Sequence, residues 1–102
     1  MAEPFSIQFS EDPNLQVLSF SGQLVINHIE RITTLAKEQL DFDKSLEVVV
    51  ENCENIDITF VQFVFALQKT WLQKGLDFSV KASVKEELIR LIENAGFINV
   101  LK

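Results

Sequence analysis

A chain of 102 residues can close one hydrophobic core but not two, so a single domain over residues 1–102 is expected. Its hydrophobic fraction of 47% and charged fraction of 24% exclude extended disorder, and nine phenylalanines with one tryptophan promise much of the buried area. A formal charge of -6 repels phosphate backbones and anionic headgroups, which argues against nucleic acid as a partner, and no stretch approaches the ~20 apolar residues of a membrane-spanning helix, which argues against membrane insertion.

Phe5, Ile7 and Phe9 alternate with Ser6 and Gln8, the period of a strand with one buried face. Glu11-Asp12-Pro13-Asn14 reads as a turn. Beyond it Leu15 and Val17, flanked by Gln16 and Ser19, keep the alternation until Gly22, so the opening is an antiparallel hairpin. Asn27 and Glu30 have capping-box spacing and predict a helix to about Leu40, with Ile29, Ile32, Ala36 and Leu40 buried and Arg31, Lys37 and Glu38 in water. Asp41, Asp43, Lys44 and Ser45 form a polar loop. Leu46 to Val50 holds three successive valines and one charge, a strand for the centre of a parallel or mixed sheet.

Thr59 and Gln62 make a second capping box, opening a helix from about Phe60 to Lys74 that Gly75 ends. One stripe of it, Phe60, Phe63, Val64, Leu67 and Trp71, faces the sheet. A second, Val61, Phe65 and Leu72, lies about 100° round and offers an apolar flank to a partner. Leu76, Phe78 and Val80 form the next strand. Ser83 and Glu86 open a third helix burying Val84, Leu88, Leu91, Ile92 and Ala95, and Phe97 to Leu101 closes the chain as a short strand. The order β-β-α-β-α-β-α-β predicts an α/β fold: a mixed, mostly parallel sheet of about five strands with three helices and an antiparallel edge.

Reactive groups are sparse. One histidine and one cysteine, His28 and Cys53, fall short of a zinc site, and no glycine run exists to cradle phosphates. The spacing around His28 does not fit a phospho-accepting histidine at the head of a kinase dimerisation helix, so a solvated first-turn histidine is expected. Cys53 cannot form an internal disulfide and reads as a small apolar group. Glu51, Glu54 and Asp57 cluster after the central strand as a solvated acidic turn, with no base, nucleophile or ligand beside them. No catalytic residue, metal or cofactor is expected. The amino terminus lacks the basic flank and apolar run of a secretory signal, which suggests a cytoplasmic location.

The segment Val48-Val49-Val50 through Ile56-Asp57-Ile58-Thr59-Phe60 resembles the STAS family, the domains of anti-sigma-factor antagonists and related modules. Ile56-Asp57 stands at the family's apolar-Asp pair, Gly22-Gln23-Leu24 is similar to its Gly-Glu-Leu-Asp, and Lys74-Gly75 and Gly96-Phe97 fall at matching positions. The sequence departs from the family at Ile58-Thr59-Phe60, where Ser-Ser-Gly is usual, and at Val25, where Asp is usual. It also carries no counterpart of the usual last helix before Lys102.

The resemblance implies a non-enzymatic, bacterial regulatory module in signal transduction and transcription, binding an anti-sigma factor or kinase through the loop Asp57, Ile58, Thr59 and the helix with Phe60, Val61, Phe65 and Leu72. Thr59 occupies the position phosphorylated in antagonists. The alternatives are a fixed STAS-type subunit of a bacterial lipid-transport ABC complex, docked on the transporter ATPase, and a small-ligand-binding or enzymatic domain. Because Phe97, Ile98, Val100 and Leu101 leave apolar surface and a strand edge, a homodimer is expected with this strand or the adjoining helix in its interface.

Overall fold

The computed structural model describes residues 4–83. They form β1 (Phe5–Glu11), β2 (Leu15–Leu24), a 3-10 turn (Ile26–His28), α1 (Ile29–Gln39), β3 (Ser45–Ile56), α2 (Ile58–Gln73) and β4 (Phe78–Ala82). The sheet order is β1-β2-β3-β4, with β1 antiparallel to β2 and the pairs β2/β3 and β3/β4 parallel. The mixed sheet and the central place of β3 are as expected. The third helix, the final strand and the dimer contact built on Phe97 to Leu101 lie outside the described residues.

The hairpin turns where Asp12 Oδ1 accepts from the N–H groups of Asn14 and Leu15 at 2.9 and 2.8 Å. Both helices pack on one face of the sheet, sharing a core of Phe5, Leu18, Phe20, Leu46, Val48, Val50, Ile32, Ala36, Phe60, Phe63, Val64, Leu67 and Trp71. Phe20 meets Phe60 edge to face at 5.1 Å between centroids. The opposite face carries Ser6, Gln8, Ser10, Val17, Ser19, Glu47 and Val49, exposed or half-buried, and Lys81 pairs with Glu47 there at 3.1 Å. Among the described residues β3 is therefore sealed on one face only.

In β2 the apolar alternation of Leu15 and Val17 does not mark the core, because the buried set is Gln16, Leu18 and Phe20. Gln16 is tolerated at 0% exposure because every polar atom of its amide is used. Its Nε2 donates to the carbonyls of Asp41 at 2.6 Å and Lys44 at 3.0 Å, and its Oε1 accepts from Asp41 N–H at 3.0 Å. The amide thus fastens the loop between α1 and β3 beneath the sheet.

The central strand is longer than its valines suggest. Val50 pairs with Phe20 and Asn55 with Gln23, so three steps along β2 are matched by five along β3. One extra residue is absorbed between Val50 and Cys53, where Asn52 adopts a left-handed φ of 50°, and the other between Cys53 and Asn55; Gly22, which pairs with Cys53, has a φ of 87°. Gly22 is required by space as well, since a Cβ there would sit 2.6 Å from the Pro4 carbonyl oxygen. Glu51 and Glu54 are consequently exposed on an irregular strand and not in a turn.

Candidate functional site

The two segments singled out by the sequence meet at the carboxyl ends of β2 and β3, where parallel α/β sheets present their functional loops. Leu24 pairs with Ile56, and Asp57 N–H donates to the Leu24 carbonyl at 3.2 Å. From there one chain turns into α1 and the other into α2.

Asp57 is the N-cap of α2, in extended backbone, and its Oδ1 accepts from Thr59 N–H at 3.0 Å and from the Thr59 hydroxyl. The expected capping box centred on Thr59 and Gln62 is therefore displaced by two residues: Thr59 lies inside the helix and donates to the cap. At α1 the expected Asn27 cap is also absent, since no side chain caps that helix. Its entry is made instead through the 3-10 turn, whose first N–H, from Ile26, donates to Asp57 Oδ2 at 2.8 Å. A single carboxylate thus satisfies open N–H groups at the starts of both connections.

Burial pushes the Asp57 carboxyl up, but the hydrogen bonds from the Thr59 hydroxyl and the N–H groups of Ile26, Thr59 and Phe60 outweigh it and hold the group below its usual range. A carboxylate with a depressed folded-state pKa stabilises the fold above its unfolded pKa, and that contribution is lost as pH falls through the folded one. Asp57→Ala should therefore cost roughly 0.5–2 kcal/mol near neutrality, as loss of an N-cap does. The gap between the two proteins should begin to narrow below about pH 4, the ordinary aspartate value, and go on narrowing as pH falls through the lower folded-state pKa. Urea unfolding at pH 7 and pH 3 checks this, and a gap unchanged at pH 3 would contradict the ionised cap.

Of the residues expected to face a partner, Phe60 and Val61 are corrected: both are fully buried. Val61 turns inward because its position on α2 faces the core flank and not the outer stripe. Ile58 takes its place. Ile58, Phe65 and Leu72 recur every seven residues, so they fall along one side of α2 over roughly 21 Å, and they are 36%, 46% and 61% exposed. Across Asp57 from this stripe stands Ile26, 63% exposed, which the sequence reading missed. The seven-residue recurrence was readable in the sequence, whereas the approach of Ile26 was not. Thr59 is half-buried and borders a groove of about 410 Å³ between α1 and α2, lined also by Thr33, Lys37, Gln62, Ala66 and Thr70.

The remaining candidates stay structural. His28 is half-buried with its ring 5.7 Å from Phe5, so it is packed and not simply solvated. Arg31 is exposed, as expected, and also sets its guanidinium 5.3 Å from the centre of the same ring. Burial pushes the Cys53 thiol up, its S–H donates to the Asn55 carbonyl at 3.2 Å, and the neighbouring Glu54 adds to the rise. That is the opposite of a reactive thiolate. Among the described residues no group of His, Cys, Asp and Glu could hold a metal, and no helix is long and apolar enough to cross a membrane.

Two of the solved structures to which this one is similar are antagonists of anti-sigma factors. One is an antisigma-factor antagonist STAS domain from Rhodobacter sphaeroides, with 16% identity, 74% of this chain and 84% of that chain covered, and a TM-score of 0.60. The other is the anti-sigma factor antagonist SpoIIAA in its unphosphorylated form, with 13% identity, 95% and 86% coverage, and a TM-score of 0.70. No protein-family model matches the chain, and no curated protein does. What is shared at these identities is the fold, and this chain has the STAS-like α/β fold.

Proposed function

We propose that this chain is a non-enzymatic protein-interaction module of the anti-sigma-antagonist kind, gripping a partner protein through the corner at Asp57, Ile58 and Thr59 and the outer stripe of α2. The observation that carries this reading is the line of exposed apolar side chains leading from that corner, Ile58, Phe65 and Leu72, with the exposed Ile26 tied to the same corner by its N–H on Asp57. An apolar surface of this kind on a domain of net charge -6 is a feature of interaction sites. The two solved structures described above, both anti-sigma factor antagonists, support the same reading.

The engaged Thr59 hydroxyl favours a second form of it, in which the partner is held permanently, as a STAS-type subunit would be held on a transporter ATPase. A hydroxyl already donating to Asp57, and half-buried, offers a kinase less than a free serine would.

The test is a titration of the isotope-labelled protein with purified anti-sigma factors from its source organism, followed by nuclear magnetic resonance. Shifts concentrated on Ile26, Ile58, Thr59 and Leu72 are expected. A footprint on the serine-bearing sheet face around Ser6, Ser19 and Val49 would move the binding surface elsewhere.

A further inference from the structure

Two exposed isoleucines, Ile26 and Ile58, belong to connections more than thirty residues apart in sequence, yet both flank one carboxylate. Asp57 uses its two oxygens for different tasks. Oδ1 caps α2 through the Thr59 N–H and hydroxyl, while Oδ2 holds the Ile26 N–H at the head of the turn that leads into α1. Capping needs one acceptor oxygen, so the second is free to act as a brace. α1 carries no side-chain cap of its own, which leaves its entry fastened from the other connection.

We infer that Asp57 is the positioning residue of the binding corner, bracing the connection after β2 to the start of α2 so that Ile26 and Ile58 form one fixed apolar rim for the partner. The inference deepens the proposed partner-binding role and rests on it for its functional meaning. The brace itself is decided on the isolated protein.

Asp57→Asn and Asp57→Ser both remain good N-caps, but each has only one acceptor oxygen and cannot cap and brace together. In both variants the Thr59 amide should keep its hydrogen-exchange protection while the Ile26 amide loses it by roughly tenfold or more, as local opening of a charge-assisted bond implies. Unchanged Ile26 protection, or a parallel loss at both amides, overturns the brace. With an anti-sigma factor that binds the parent protein, both variants should bind roughly tenfold more weakly, the effect of removing one charge-assisted hydrogen bond. Equal affinity would overturn the positioning role even if the brace were confirmed. Should the parent protein bind no such factor, the partner reading fails by itself and the exchange result still settles the brace.

Discussion

Trp71→Ala lowers the unfolding free energy by about 3–5 kcal/mol, the usual cost of truncating a buried aromatic side chain. Trp71 is fully buried, and it is where three parts of the fold are joined. Its indole packs on Phe42 at 5.0 Å between centroids, and its Nε1 donates to the Lys44 carbonyl at 2.8 Å. That carbonyl also accepts from Gln16, so it keeps a partner when the indole is removed. The loss in Trp71→Ala is thus mostly that of packing, and Trp71→Phe, which refills much of the volume, should cost only about 1–2 kcal/mol. Denaturant unfolding of the two variants separates the terms. Equal losses would mean that the hydrogen bond dominates and that the packing account is wrong.

The fold was legible where burial follows local pattern. Phe5, Ile7 and Phe9 announce an edge strand, and the stripe from Phe60 to Trp71 is the inner face of α2 as its spacing requires. Reading failed where a contact between distant segments decides the outcome. Gln16 looks like a solvent residue until the backbone of Asp41 and Lys44 surrounds it. Glu51 to Ile56 looks like a turn until two bulges let it continue beside Gly22 to Leu24. The caps failed in the same way. Asn27 and Thr59 each have the right local spacing, but Asp57 caps α2 and holds the head of the 3-10 turn before α1, satisfying N–H groups in both connections. Of the candidate site, Asp57, Ile58, Thr59, Phe65 and Leu72 were named from the sequence, while Ile26 could be found only by its neighbour across the sheet end.

The outer stripe of α2 should behave oppositely to Trp71. Phe65 and Leu72 are 46% and 61% exposed, so replacing both with aspartate should leave the protein folded at a cost of roughly 1–3 kcal/mol, from poorer helix propensity, a negative charge in the last turn of α2 and the loss of the covered part of Phe65. Their effect on association should be large. An interface core is anchored by a few apolar side chains, and burying two carboxylates there without partners opposes binding strongly. The measurement that tests the account most directly is the affinity of Phe65→Asp plus Leu72→Asp for the partner protein, by calorimetry, with circular dichroism and thermal unfolding on the same samples. A native spectrum with affinity reduced at least roughly a hundredfold is the predicted result. A native spectrum with affinity unchanged would contradict the assignment of this face, and an unfolded variant would show that the stripe belongs to the core.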